Sequence, residues 1–477
     1  MTSFLEKDTS PRTTSLVSTI ALLAFLPLFM MGLYQIYTVL QAFGVRANII
    51  VDTKTILEPV NTDFLQAFAQ GGEEKVDMIE SVIPEVRALR PKIIRIDHIY
   101  DSYDVLELNG GNLVFDWTKL DKAVNSILAT GAKPMLSLSY MPTAIAKDGN
   151  IINPPNNWDD WSYVIQKTIE HYSGRTQKNI SGMYYEVWNE PDLAQFGGWK
   201  LAGEKNYLTL YRYAASGAQK AQDTVSFSFG GPATTGLYKN WVLSLVQLGS
   251  RLDFISWHSY LADPKQYDTD QRNITTWLLP YPNFTLLPKL VTEFGYTGSK
   301  HAGYGSMYSA AFTAAVTRQV ISGGPTYLFS FQLKDGPNQE NNTGWGLLSH
   351  DSQGKTKKPR YHVYNFMKDM AGNRLRVTGE GSWVTSFATT KGNSIKLLLV
   401  NFHPTNSKSE TVPVQFDNLD AGEYSYNERF LLGRNITLSE SITDTFLKKE
   451  IYMPINSVAI IELIKKESTP SSILPNR

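Results

Sequence analysis

The 477-residue chain has no cysteine, which excludes disulfides, thiolate zinc sites, iron–sulfur clusters and a cysteine nucleophile. It has no excess of either charge, because 45 Lys and Arg balance 45 Asp and Glu. A nucleic-acid binder would carry a basic excess or stripe, so no nucleic-acid partner is expected. The seven histidines are scattered without metal-ligand spacing. Gly71-Gly72 and Gly323-Gly324 come with no phosphate-loop or dinucleotide fingerprint. No metal and no cofactor are therefore expected.

Charge is also missing locally. Between Arg12 and Arg46 there is no Asp, Glu, Lys or Arg, and Leu16–Tyr34 is nearly all apolar, continuing with few polar residues to Leu40. A helix needs about 20 such residues to cross a membrane. Residues 1–44 are thus read as a cytoplasmic stub and a single transmembrane helix. Ala42-Phe43-Gly44 is a poor imitation of a signal-peptide cleavage site, so the anchor is expected to stay, with cleavage and secretion as the alternative. The bulk of the chain is expected outside the cytoplasm.

What the chain does have is aromatic side chains, 25 Tyr, 22 Phe and 10 Trp, the usual platforms for sugar rings as well as core. From about residue 45, continuous apolar runs alternate with amphipathic stretches. The runs are Ala47–Val51, Lys92–Ile96, Pro134–Tyr140, Met183–Trp188, Val225–Phe229, Asp253–His258, Lys289–Phe294 and Thr326–Phe331. Helical periodicity falls between them, as in Trp158–Tyr172 and Met307–Ser322. Strands buried on both faces read in this unbroken way, and eight strand–helix repeats predict an α/β fold, a (β/α)8 barrel over residues 45–371. Beyond it, short strands such as Ile395–Phe402 and Ser457–Leu463, separated by turn residues, predict an antiparallel β-sandwich over 372–466. The polar tail 467–477 is expected to be disordered.

Two carboxylates end strands of the barrel. Glu190 closes Tyr184-Tyr185-Glu186-Val187-Trp188-Asn189-Glu190-Pro191 and Glu293 closes Leu290-Val291-Thr292-Glu293-Phe294-Gly295. These are strands four and seven, on opposite sides of the barrel mouth, where this fold places its chemistry. Hydrolysis of a glycosidic bond needs two carboxyl groups flanking it, and a separation of about 5–5.5 Å implies retention through a covalent ester. The expected catalytic pair is Glu190 and Glu293, acting on a carbohydrate.

Trp188-Asn189-Glu190-Pro191 and Thr292-Glu293-Phe294-Gly295 resemble the acid/base and nucleophile motifs of clan A retaining glycosidases. The surrounding sequence resembles glycoside hydrolase family 39 from about Ile94 to Ala371. The likeness includes Ser139-Tyr140-Met141-Pro142, Asp253-Phe254-Ile255-Ser256-Trp257-His258-Ser259-Tyr260, Gly344-Trp345-Gly346-Leu347-Leu348 and Lys358-Pro359-Arg360-Tyr361-His362. The resemblance implies that Glu190 is the general acid/base and Glu293 the nucleophile. It further implies that Asn189 bonds the hydroxyl beside the anomeric carbon, that Arg95 steadies the nucleophile, and that His258 and Tyr260 line the pocket. Two departures stand out. The family's Arg-x-His on strand two reads Arg95-Ile96-Asp97-His98 here, so either Asp97 or His98 faces the sugar. On strand eight, Phe331 stands where a Trp platform is usual, with Asp335 four residues later. Trp345 is a candidate wall of the same pocket.

Overall fold

A computed structural model of the chain describes residues 44–337 and 343–467, together with helical positions at 23, 25–27 and 29–32. The anchor read over residues 16–40 therefore lies largely outside the described residues, as does the tail beyond 467. Among the described residues no helix is long and apolar enough to cross a membrane.

Eight parallel strands close into a barrel in chain order. Barrel strands one to eight are Ala67–Gln70, Ile93–Ile96, Lys133–Leu138, Met183–Val187, Phe227–Thr234, Phe254–Tyr260, Lys289–Gly295 and Tyr327–Phe331. Helices pack outside, and their buried residues fall at helical spacing. In Trp158–Ser173 these include Trp161, Val164, Ile165, Thr168, Ile169 and Tyr172, the apolar stripe that a surface helix lays on a core. Asn157, Asn206 and Ser306 start three of these helices by accepting backbone N–H bonds, as good N-caps do.

One expected barrel strand lies elsewhere. The run Ala47–Val51 is not the first barrel strand. It belongs to the strand Ile49–Val60, which pairs antiparallel with Gly372–Thr378 and parallel with Glu410–Asp417. The barrel thus starts at Ala67, and the residues just before it belong to the second unit. That unit is a hydrogen-bonded, nine-stranded sheet, antiparallel except where Ile49–Val60 meets Glu410–Asp417. Its inward side chains, among them Val51, Leu399, Val414, Tyr426, Ile451 and Ile461, form a single apolar cluster. The cluster joins residues from both ends of the strand order, so the sheet folds over itself and buries one face.

The two units meet along the helix Met307–Val320, which follows barrel strand seven. Arg318 makes a two-pronged ion pair with Glu380, at 2.7 and 2.6 Å. Phe312 packs edge-on to Phe402, 5.8 Å between ring centres, and Tyr308 donates to the Pro404 carbonyl at 3.1 Å. The sheet thereby braces the helix behind the strand that carries Glu293.

Candidate active site

Side chains alternate along a strand, so every second residue of a barrel strand points inward. Near the strand starts the inward residues are apolar, with Ala67, Ala69, Ile93, Met135, Phe254, Leu290 and Phe329 forming one cluster. Further along the same strands they turn polar. Arg95 stands two residues after Ile93, Glu186 two after Tyr184, and His258 four after Phe254. Strand seven needs a register shift to join them. Val291 pairs with Trp257 and Glu293 with the next residue, His258, which leaves Thr292 as an extra residue. Such a bulge re-aims the side chain that follows, and it turns Glu293 into the barrel.

Arg95 is fully buried and organises the floor. Its guanidinium donates from Nε to Glu186 Oε2 at 2.6 Å, from Nη1 to Glu293 Oε1 at 2.9 Å and from Nη2 to Asn189 Oδ1 at 2.8 Å. Asn189 in turn donates to the Tyr140 hydroxyl at 2.9 Å. The other oxygen of Glu293 accepts from the Tyr260 hydroxyl at 2.6 Å. His258 Nδ1 lies 2.9 Å from Glu190 Oε1 and 3.5 Å from Glu293 Oε2. Glu190 and Trp188 have left-handed φ values of 43° and 73°. Non-glycine residues hold that conformation at a cost of about 1–3 kcal/mol, and such positions cluster at active sites.

Burial lifts the Glu293 carboxyl above its ordinary value. The positive charges of His258 and Arg95 oppose that rise, and the nearby Glu190 reinforces it. Burial disfavours the charged form of His258, yet the carboxylates of Glu293 and Glu190 hold its pKa above the usual histidine value. The donor atoms of Glu190, His258 and Glu293 all lie within 4.8 Å of one another. A metal ion could span that spacing, but Arg95 already places a fixed positive charge 2.9 Å from Glu293.

A cavity of about 350 Å³ opens above this floor. Asn189, Glu190, Glu293, Tyr260, Phe331 and Trp345 line it, as does Asp97. Phe331 sits edge-on to Trp345 and to Tyr260, with ring centres 5.7 and 6.3 Å apart. Leu193, Gln195, Phe196 and Thr235 from the loops after strands four and five, with Gly298 from the loop after strand seven, complete the wall. Arg95 and His258 lie behind the two glutamates, both with no exposed surface, so His258 does not line the pocket as expected but supports its carboxylates from below.

Two expected sugar contacts are corrected. The choice between Asp97 and His98 falls to Asp97, because it continues the inward column Ile93, Arg95. His98 takes a left-handed φ of 54°, bonds Asp101 at 2.8 Å, and is not among the cavity-lining residues. Asp335 also stays away from the cavity. It is fully buried, pairs with Lys358 and accepts from the Gly346 N–H at 2.7 Å, so it secures the loop that carries Trp345. The Lys358-Pro359-Arg360 motif has a matching role. Lys358 donates to the Gly344 carbonyl at 2.9 Å, and Arg360 donates to the carbonyls of Phe331 and Phe294 at 2.9 and 3.1 Å, tying strands seven and eight together. Sequence reasoning passed over Glu186, the closest partner of Arg95. The available signal was an acid in the middle of an otherwise apolar strand.

The model for glycosyl hydrolases family 39 matches residues 87–402. The chain belongs to this family. A β-xylosidase of Geobacillus stearothermophilus is 25% identical over 374 residues, 69% of this chain and 71% of that protein. A β-xylosidase of Caldicellulosiruptor saccharolyticus is 27% identical over 344 residues, covering 65% and 67%. Among solved structures, the GH39 enzyme from Xanthomonas axonopodis pv. citri has a TM-score of 0.70 at 19% identity, over 88% of this chain and 98% of that one. A monomeric β-xylosidase from Caulobacter crescentus gives 0.69 at 19%, over 88% and 99%. These last two likenesses show the shared fold. Family 39 membership makes the protein a retaining glycosidase.

Proposed function

We propose that the protein hydrolyses an extracytoplasmic poly- or oligosaccharide, with Glu293 as nucleophile and Glu190 as acid/base. The observation that carries this reading is the spacing of the two glutamates: one carboxylate oxygen of each lies within 4.8 Å of the other's, and both approach His258 Nδ1, at 2.9 and 3.5 Å. That matches the close pair of retaining enzymes and falls short of the roughly 6.5–9.5 Å that an inverting pair needs for its water. Glu293 Oε forms a bond to the anomeric carbon while the bond to the leaving oxygen breaks and Glu190 gives that oxygen its proton. Water then attacks the ester, Glu190 takes the water's proton, and Glu293 departs as a carboxylate. Arg95 and Tyr260, donating to opposite oxygens of Glu293, hold the anion ready. Asn189 keeps one amide hydrogen, beyond the one given to Tyr140, for the sugar hydroxyl beside the reacting carbon.

A xylose-like glycone is the first to test, since both curated relatives named above are β-xylosidases. Support for a membrane anchor comes from the apolar run itself and from its described helical residues. Leu23, Phe25 and Phe29 are 63%, 69% and 64% exposed, which suits lipid better than water. In full-length protein held in detergent, Glu190→Ala should lose far more activity on xylo-oligosaccharides than on 4-nitrophenyl β-D-xyloside, whose leaving group needs no proton. Equal losses on both would remove Glu190 from the acid role. Recovery of the protein in the soluble fraction of lysed cells would remove the anchor.

A further inference from the structure

Strand four carries a charged group that the hydrolytic scheme does not use. Glu186 lies inside Met183–Val187 and has no exposed surface. Its Oε2 accepts from Arg95 Nε at 2.6 Å. Its Oε1 is enclosed, with no hydrogen-bond partner among the described residues. A buried acid stabilises a core less than well-packed hydrocarbon of similar volume, so packing does not account for Glu186.

The Arg95 guanidinium is a rigid plane with five N–H groups. Glu186 holds its Nε edge, which leaves the two Nη groups aimed at Glu293 and Asn189, at 2.9 and 2.8 Å. The same contact divides the charge of the cation. Burial opposes the Arg95 charge, and the carboxylates of Glu186, Glu293 and Asp97 support it in that order. Glu186 therefore competes with Glu293 for one positive charge. The other ionisable groups facing Glu293 are Asp97 from strand two, Glu190 after strand four, and His258 and Tyr260 from strand six. An anion held too well by a cation attacks slowly, because that stabilisation fades as its charge moves into the new bond.

We infer that Glu186 is a positioning residue for the nucleophile: it sets the plane of Arg95 and takes up part of its charge, so that Glu293 is held in place yet stays reactive enough to attack the anomeric carbon. This rests on the reading of Glu293 as nucleophile given above, and adds the group that tunes it.

The test is the acid limb of kcat/KM for 4-nitrophenyl β-D-xyloside in the full-length protein, which reports ionisation of the free nucleophile. Glu186→Gln keeps the shape and an acceptor for Arg95 Nε but removes the charge. With Arg95 left to Glu293 and Asp97, the limb should move to lower pH by about one pH unit, and the plateau should fall. Glu186→Asp keeps the charge and withdraws the grip, so its limb should stay in place while kcat falls. A merely structural Glu186 would lower kcat and the melting temperature in both variants without moving the limb, and that result overturns the inference. A limb that moves to higher pH in Glu186→Gln, or an unchanged kcat in Glu186→Asp, overturns it as well. A second arm needs no turnover. The difference in melting temperature between a protein and its Glu293→Gln derivative, followed against pH, titrates residue 293. Its turning point should lie lower in Glu186→Gln than in the wild type; the same turning point in both overturns the inference. A shifted turning point in a protein that hydrolyses no glycoside would defeat the catalytic reading and keep the coupling of Glu186 to Glu293 through Arg95.

Discussion

The barrel interior and the interior of the nine-stranded sheet are both closed to solvent, yet they are filled by opposite rules. The sheet core is built from side chains such as Leu397, Leu399, Val412, Val414 and Ile461, with no exposed surface or almost none. The barrel begins the same way, with Ile93, Met135, Leu290 and Phe329, and then places Arg95, Glu186, His258 and Glu293 one layer higher. Burying a charge is expensive unless it is paired and hydrogen-bonded. Arg95 meets that condition with three bonds, and Glu293 meets it with a donor on each oxygen. The sheet is organised for stability, whereas the upper barrel layer holds charge in a dry place where it can act on a substrate.

The largest expected effect separates activity from stability within the barrel. Glu293→Gln should reduce glycoside turnover to background while keeping or raising the melting temperature at neutral pH. The sign follows from linkage. A carboxyl whose pKa is raised by burial binds its proton more tightly in the folded state, so stability falls as pH rises from the ordinary carboxyl value through the raised one. The amide removes that loss. A large drop in melting temperature would show that the charge itself holds the barrel together.

Arg95→Met should break both properties at once. It leaves Glu186 and Glu293 buried without their cation, which costs about 3–5 kcal/mol of stability, seen in a denaturant melt, and turnover should fall with it. Leu399→Ala should break only the other side of the comparison. Truncating a fully buried leucine costs about 2–5 kcal/mol, while kcat measured well below the melting temperature stays at the wild-type value. The smallest effect belongs to Tyr260→Phe. Losing one donor to Glu293 should cut kcat/KM about tenfold and move its acid limb to higher pH, because the donor favours the anion. An acid limb that stays in place would mean Tyr260 does not steady the ionised form.

Much of this architecture can be read from the sequence, and the exceptions have physical causes. Barrel strands two to eight stand within a few residues of the apolar runs that predict them, because strands covered on both faces need unbroken hydrophobicity. Strand one has little local signal, because Ala67-Phe68-Ala69-Gln70 is four residues long and carries two alanines. The β-branched run around Ile49 outcompetes it, yet that run pairs with strands more than 300 residues away, a partnership no local pattern encodes. In the sheet, Phe446–Met453 was hidden by Lys448, Lys449 and Glu450 inside an otherwise alternating strand. At the site, strand-end position was enough to mark Glu190 and Glu293. Separating Asp97 from His98 needed the backbone, because only the left-handed turn at His98 shows which of two adjacent polar residues continues the inward column.

The central claim is that Glu293 becomes covalently attached to the sugar, and it can be tested by trapping the ester. A 2-deoxy-2-fluoro glycoside with an activated leaving group slows ester breakdown more than ester formation, and peptide mass spectrometry then locates the adduct. The expected result is a single glycosyl increment on the peptide containing Glu293, absent from Glu293→Gln. An adduct on Glu190, or a turned-over substrate whose product has the opposite anomeric configuration, would contradict the assignment.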